Sequence, residues 1–317
     1  GGAIVGDCHG TIKNCTVTGN NTITVTGTNE SYAGGIAGYC YNTTELNISN
    51  CKVDGAKLST AGTKKAEGGI VGGIWNYPAA IDSDCLAVNV TTSEETGNMG
   101  AVVGWIQSGT AVVNGYYYDC GELAGVGNKN TGTDSTKKAY RLSVPFGISV
   151  ASGTVFNGNG NTYASGALTF TGSTNTGKLY KGTTKLTAAS GTYSYTVTSD
   201  TILSEYPRID GLIFNRAEGY FEITSAEDMQ ILANHVNAGN NCVGIKFKVM
   251  NDIDMSTIEN FTAIGKATPA YQFQGEFDGD NYAISNLKID KNAIDQGLFG
   301  YVGSDGIIEN VKLVDAT

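Results

Sequence analysis

The stretch GGIVG at residues 68–72 decides the fold because it recurs along the chain, as GAIVG at 2–6, GGIAG at 34–38, GAVVG at 100–104 and, shortened, GLFG at 297–300. A unit of this size cannot bury its own apolar face and has to stack on its neighbours. The recurrence therefore predicts a solenoid.

A second motif runs in step with the first and consists of an Asn or Asp followed by apolar residues. Its copies are NCTV at 14–17, NCKV at 50–53, DCLA at 84–87, DC at 119–120, NLKI at 286–289 and NVKL at 310–313. Alternating polarity is the period of a strand with one buried face, and the Gly, Asn and Asp residues between such strands form turns. Strands that recur once per coil stack in parallel. We therefore predict a parallel β-helix with an Asn/Asp ladder at one corner, each side chain bonding to the next coil.

The cysteines follow this register. Most occupy motif positions where other copies carry Ile, Leu or Val, such as Ile74, Ile106 and Leu287. A position that accepts all of these is an apolar interior position, so we expect the thiols to pack as small hydrophobic side chains. The cysteines concerned are Cys8, Cys15, Cys40, Cys51, Cys85 and Cys120, whereas Cys242 lies outside the register.

Composition indicates an extracellular protein. The 317 residues carry a net charge of −10, and only 16% of them are charged, below the roughly 25% usual for soluble domains. This balance excludes nucleic acid as a partner, since phosphate binding needs a basic stripe. No window has the about 20 apolar residues of a membrane-spanning helix, so we expect no membrane insertion.

Three segments can be drawn. Residues 1–136 form a first β-helix that ends in a Gly-, Asn- and Thr-rich boundary loop at 125–136. Residues 137–207 show two-fold alternation between turn residues and predict a small antiparallel domain, β-grasp or immunoglobulin-like. The motifs of residues 208–317 predict a second β-helix, so the whole chain is expected to be all-β.

One short helix is predicted at residues 225–237, where it would cap the second β-helix. Ser225 is the N-cap, Asp228 stands at the capping-box position and Gly239 ends the helix. The apolar residues at helical spacing are Met229, Leu232, Ala233 and Val236. Such a helix would cover a coil edge that otherwise pairs with other chains.

The motifs of the second half carry a family resemblance. They are FEITSAEDMQILA at 221–233, NDIDMS at 251–256, AIG at 263–265, FQGEFDG at 273–279, ISNL at 284–287 and GLFG at 297–300. This ordered set resembles the GLUG-repeat proteins, a bacterial secreted and cell-surface family, and the GGIVG repeats of the first half resemble the core motif of that family. The resemblance implies a β-solenoid, export and a role in surface adhesion, and it carries over no catalytic residue.

The two chain ends match in pattern, since residues 306–315 repeat the phase of residues 10–19. We expect a piece of a longer tandem array. The alternative is that open coil ends stack between copies, which predicts head-to-tail self-association.

Carboxylates in the second half raise two alternatives to a structural role. Asp252, Asp254, Asp278 and Asp280 could hold calcium, or a pair of them could act as acid and base on a glycosidic bond, because β-helices also host lyases and glycosidases. Their positions beside turns favour the structural role, in which Asp side chains bond local backbone. The three arginines lie near the segment junctions, away from these carboxylates, and make a poor active site.

Aromatic residues after the glycine motifs are the ligand-binding candidates: Trp75, Tyr77, Trp105 and Tyr117. Rows of rings on a solenoid face could stack on sugars or anchor a protein, and the competing interpretation places them in the core. We expect a non-enzymatic structural and adhesive protein whose partners are glycans or proteins of host or neighbouring-cell surfaces. The alternative is a carbohydrate-binding or carbohydrate-active β-helix.

Overall fold

The computed structural model describes residues 1–41, 46–75, 79–94, 97–158 and 160–317. The chain is all-β, with a parallel β-solenoid of about 9 turns and a single α-helix in the described ranges, as the sequence predicts. It divides into two compact units. The first comprises residues 1–142, 153–168 and 196–200, and the second comprises 143–152, 169–195 and 201–317.

The first unit contains five stacked coils. Coil 1 holds β1 (Val5–Cys8), β2 (Thr11–Lys13), β3 (Thr16–Thr26) and β4 (Glu30–Gly34). Coil 2 holds β5 (Ala37–Tyr41), β6 (Leu46–Ser49), β7 (Lys52–Ala61) and β8 (Lys64–Gly68). Coil 3 holds β9 (Val71–Trp75), β10 (Ala79–Ile81), β11 (Leu86–Thr91) and β12 (Met99–Gly100). Coil 4 holds β13 (Val103–Ile106), β14 (Ala111–Val113) and β15 (Tyr116–Tyr118), and coil 5 holds β16 (Val126–Lys129), β17 (Thr133–Asp134) and β18 (Lys137–Lys138).

Equivalent strands of successive coils pair in parallel and form four sheets. Their orders are β1-β5-β9-β13-β16, β2-β6-β10-β14-β17, β3-β7-β11-β15-β18 and β4-β8-β12. Cys8 pairs with Cys40, and Cys40 with Ile74, in the register that the sequence motif predicts. Cys51 and Cys85 are fully buried in the same interior core. All seven cysteines are free thiols, and only Cys15 is half-buried rather than buried.

The motif glycines are required where coils turn. A Cβ on Gly68 would overlap the carbonyl oxygen of Val71, and a Cβ on Gly72 would overlap the carbonyl oxygen of Gly38 in the preceding coil. Both clashes are with backbone, so a side chain could be placed only by moving the chain. The recurrence of GGIVG therefore reflects close approach of backbone at one corner.

The Asn/Asp ladder is present at the predicted corner. Asn50 donates from Nδ2 to Oδ1 of Asn14 at 2.8 Å, and its backbone N–H donates to Oδ1 of Asp84 at 2.6 Å. Asn14 and Asn50 have φ of 56° and 46°, in the left-handed region that Asn tolerates better than most residues. The motif thus selects Asn for its backbone as well as for its amide.

The segment 125–136, predicted to be a boundary loop, instead contributes to coil 5. Val126 pairs with Val103 and Asn128 with Trp105 in parallel register. Of β16, β17 and β18, only Val126 is buried. The prediction of a loop was wrong because backbone pairing onto coil 4 does not depend on the polar side chains that this segment carries.

Seven strands follow the first solenoid. They are β19 (Tyr140–Ser143), β20 (Ile148–Gly158), β21 (Asn161–Gly172), β22 (Leu179–Lys181), β23 (Thr184–Leu186), β24 (Tyr193–Val197) and β25 (Thr201–Ser204). In the first unit β19 pairs antiparallel with β21, and in the second unit β22 pairs antiparallel with β23 and β25. The antiparallel pairing is as predicted, and the segment limits at 136 and 207 stay a prediction.

The second solenoid begins with an antiparallel hairpin and continues in parallel. Its strands are β26 (Ile213–Asn215), β27 (Tyr220–Ile223), β28 (Lys246–Val249), β29 (Ile253–Asp254), β30 (Glu276–Asp278), β31 (Ala283–Ser285), β32 (Ile307–Glu309) and β33 (Lys312–Val314), with a 3₁₀ turn at Pro269–Tyr271. The sheet orders are β26-β27-β28-β30-β32 and β29-β31-β33. Phe221, Phe247 and Phe277 are in register and essentially fully buried, so a phenylalanine column forms the core.

The helix α1 (Ala226–Asn237) connects β27 to β28 as predicted. The Ser225 hydroxyl accepts from the Asp228 N–H at 3.1 Å, while the Asp228 carboxylate accepts from the N–H of Thr224 at 2.8 Å. The predicted apolar face, with Met229 and Val236 fully buried, packs into the phenylalanine core. In the last turn, His235 Nε2 lies 3.2 Å from the Thr183 hydroxyl, and burial lowers the pKa of this imidazole.

Within the described ranges, no helix has the length and apolar character needed to cross a membrane.

Candidate functional site

An aromatic cluster lies on the outer side of the sheet β1-β5-β9-β13-β16. Because Cys40, Ile74 and Ile106 face the interior, the alternation of a strand turns their neighbours outward. We call this set the aromatic face; its members are Tyr32, Tyr39, Tyr41, Trp75 and Trp105.

Three rings of the aromatic face form a stack along the solenoid. In register, Tyr39 pairs with Gly73, and Gly73 with Trp105, so the middle coil has no side chain in this row. The ring of Tyr32, from β4, fills the gap, since a Cβ on Gly73 would lie 2.6 Å from that ring. Tyr32 stacks on Tyr39 with centroids 4.5 Å apart, and on Trp105 at 6.5 Å. Neighbours thus cover both faces of Tyr32 and one face of each flanking ring.

Trp75 lies outside this parallel stack. Its ring crosses those of Tyr39 and Tyr41 at 64° and 65°, with centroids 6.4 and 6.0 Å away. Tyr41 is 39% exposed, and His9 contacts it edge-on at 5.9 Å. Tyr41 is therefore the exposed ring of the aromatic face, and half-buried Trp75 packs beside it.

The phenol groups of Tyr32 and Tyr39 in the aromatic face stay protonated and uncharged. Burial, with the nearby Glu30 carboxylate, raises the pKa of Tyr32 to about 12. Burial and the neighbouring phenol of Tyr32 also raise the pKa of Tyr39 well above its ordinary value. The indole nitrogen of Trp105 is buried without a hydrogen-bond partner among the described residues. Because that nitrogen is buried, apolar contact with the rings is what this face offers to a ligand.

The structure brings Trp75 and Trp105 together and places Tyr117 elsewhere. Tyr77 lies outside the described residues. Tyr117 belongs to β15, in another sheet, and packs half-buried against the interior core. Its neighbours Tyr116 and Tyr118 contact Phe156 and Tyr163, both at 5.1 Å. The run of three tyrosines at 116–118 is therefore explained by packing.

The carboxylates of the second solenoid bond to neighbouring backbone and amides. Asp252 accepts from the N–H of Ala283 at 2.8 Å, and Asp254 accepts from Nδ2 of Asn286 at 2.9 Å. Asp278 accepts from Nδ2 of Asn310 at 2.9 Å and from the N–H of Asp280. These bonds form a ladder of the same kind within the second solenoid.

Hydrogen bonding also sets the acidity of this ladder. The bond from Asn286, followed by those from Ser256, lowers the pKa of Asp254. Partial burial of Asp278 opposes its ionisation, but bonds from Asn310 and the Asp280 N–H, with the charge of Lys248, bring its pKa below the ordinary value. Lys248 in turn pairs with Asp280 at 3.2 Å.

Across the described ranges, no group of three or more His, Cys, Asp or Glu is placed to hold a metal ion. Calcium binding and catalysis at Asp252, Asp254, Asp278 and Asp280 stay predictions.

No family model matches this chain. No solved structure matches it either. Part of it is similar to Halomucin of Haloquadratum walsbyi, with 39% identity over 110 residues that cover 32% of this chain and 1% of Halomucin. The chain therefore spans about a hundredth of the length of that relative. The β-solenoid and this partial similarity are compatible with a cell-surface repeat protein and consistent with an extracellular location.

Proposed function

We propose that the chain is a non-enzymatic structural and adhesive segment of a secreted or cell-surface repeat protein of the GLUG type. The observation that carries this proposal is the aromatic face, which spans four coils of the first solenoid and leaves Trp75 outside the parallel stack.

The structural half of the proposal rests on how each coil is held to the next. Every coil shares parallel ladders with its neighbours, and the Asn/Asp corner adds side-chain bonds such as that from Asn50 to Asn14. Glu67, fully buried, joins two further segments by accepting from Thr60 and Ser93. A solenoid whose coils are bonded in this way can keep a contact surface in a fixed position along its length, although few of its residues are charged.

The adhesive half rests on ring accessibility. Tryptophan and tyrosine dominate contact energies because they bury a large area at low entropic cost. On the aromatic face, Trp75 and Tyr41 would bind an apolar patch of a glycan or protein from a host or neighbouring cell, while buried Tyr32 fills the row between Tyr39 and Trp105.

A non-enzymatic role agrees with the bonding of the carboxylates. Asp254 and Asp278 are each committed to an amide of the following coil, and hydrogen bonding lowers the pKa of both. A general acid needs the opposite shift. The proposal expects Asp252→Asn and Asp278→Asn to change no turnover on polysaccharides, and loss of a measurable hydrolytic activity in either variant would contradict it.

The experiment is binding of the purified chain to an array of mucin glycans, polysaccharides and matrix proteins. Trp75→Ala and Tyr41→Ala should abolish a specific signal while the unfolding midpoint changes little. Tyr282→Ala is the matched control, because Tyr282 is 37% exposed against 39% for Tyr41 and belongs to the second unit. A signal that survives both substitutions, or no binding at all, would contradict the adhesive half.

A further inference from the structure

A second candidate site lies within the second unit, at a cavity of about 300 Å³. Its walls come from residues 176–180 around the start of β22, residues 205–207 after β25, the hairpin of β26 and β27, and residues 244–246 at the start of β28. This volume is at the small end of the range for ligand pockets and suits one sugar-sized molecule.

The cavity concentrates positive charge in an acidic chain. Lys178, Arg216 and Lys246 line it, with Glu205 as the single carboxylate of the wall. Lys246 is paired with Glu276 at 2.7 Å. Three cations against the carboxylates of Glu205 and Glu276 leave one uncompensated positive charge, which matches a monoanion better than a phosphate dianion.

Arg216 is positioned in this cavity by an aromatic ring and has no acidic partner of its own among the described residues. The Arg216 guanidinium lies 5.1 Å from the ring centroid of Tyr206, and Tyr206 in turn contacts Phe214 at 5.8 Å. No carboxylate lies within ion-pair distance of Arg216 among the described residues. The cation–π contact holds the guanidinium over the ring and leaves its N–H groups for a bidentate carboxylate.

The rest of the wall points to hydroxyl groups beside that carboxylate. The Glu205 side chain is an acceptor, and Phe214 with Pro207 supplies an apolar wall for the C–H face of a ring. We propose that this cavity binds a sugar acid, with its carboxylate on Arg216 and Lys178 and its hydroxyls on Glu205. The proposal goes beyond the function proposed above, because the site lies in the other unit from the aromatic face.

The test is calorimetric titration of the full chain with galacturonic acid, a single sugar acid that matches the size of the cavity, and with galactose as its neutral counterpart. We expect binding of the acid form alone, weakened by added salt and weakened about tenfold or more in Arg216→Gln through loss of charge-assisted bonds. Arg208→Gln is the matched control, because Arg208 is exposed in the same unit, outside this cavity, and pairs with Asp210 at 3.1 Å.

The outcomes separate this site from the aromatic face. Trp75→Ala should bind galacturonic acid as the unchanged chain does, so loss of array binding in that variant leaves this proposal standing. Equal binding of acid and neutral forms, equal affinity in Arg216→Gln and Arg208→Gln, or no binding of the acid form at millimolar concentration would each overturn it.

Discussion

Replacing Asn50 measures what the corner ladder contributes to stability. Asn50 is exposed, so substitution there leaves no cavity. Its amide bonds to Asn14 at 2.8 Å, and its backbone has φ of 46°. Asn50→Ala removes the amide and also forces an Ala into the left-handed region, whereas Asn50→Gly removes only the amide. The two variants therefore separate the side-chain bond from the backbone requirement.

The magnitudes follow from these two terms. A hydrogen bond of this type contributes about 1 kcal/mol, and the left-handed conformation costs a residue with a Cβ about 1–2 kcal/mol. We expect Asn50→Ala to lower the free energy of unfolding by about 2 kcal/mol and Asn50→Gly to lower it by about 1 kcal/mol, part of the latter from the freer unfolded chain. The bond from the backbone N–H of residue 50 to Asp84 is kept in both variants.

The assay is urea unfolding monitored by circular dichroism, with the denaturant slope compared between variants. Asn20→Ala is the control, because Asn20 is exposed in β3 and outside the ladder; it should change stability by less than about 0.5 kcal/mol. Equal losses in Asn50→Ala and Asn50→Gly would refute the backbone argument. No loss in either would refute the ladder itself.

Four further outcomes are expected. Glu67→Ala should lower the free energy of unfolding by about 3 kcal/mol, since it leaves the donors of Thr60 and Ser93 unpaired, and a loss below about 1 kcal/mol in chemical denaturation would contradict this. Phe247→Ala should cost about 3–5 kcal/mol, whereas Ile213→Ala, 67% exposed on β26, should cost less than about 1 kcal/mol; similar losses would count against the phenylalanine column. The folded pKa values of Asp254 and Asp278 lie below their ordinary values, so the stability that their ionised carboxylates contribute is present above about pH 4 and is lost as pH falls further. In Asp254→Asn, the thermal unfolding midpoint should therefore fall less steeply below about pH 4 than in the unchanged chain. An equally steep fall would count against the bond to Asn286. Alkylation of the native protein followed by mass spectrometry should label half-buried Cys15 before Cys51 and Cys85, and simultaneous labelling would contradict an interior position for the latter two.

Much of the fold could be predicted because its signals are local and repeated. The register of Cys8 with Cys40 and Ile74 follows from counting residues after a glycine motif. The limits of α1 follow from Ser225 and Gly239, and the corner ladder follows from one recurring Asn. Each of these depends on backbone geometry that a single residue type satisfies.

The remainder depended on contacts between segments that carry no shared motif. Tyr32 completes the aromatic face because Gly73 leaves room for it, and the motif pattern gave no reason to connect these two residues. The segment 125–136 has the composition of a loop but gains its strands by pairing with coil 4. Arg216 is one of the three arginines near the segment junctions, and it lines a cavity together with residues 176–180, to which no sequence motif connects it.

The most direct test of the parallel, in-register coils is NMR detection of scalar couplings across backbone hydrogen bonds. The structure places the amide of Lys52 2.8 Å from the carbonyl oxygen of Cys15, that of Leu86 3.0 Å from Cys51, and that of Tyr116 2.9 Å from Cys85. Couplings between these three pairs, each one coil apart, are the predicted result. Couplings from the same amides to carbonyl groups within their own coil, or to a neighbouring position in the next coil, would contradict the account.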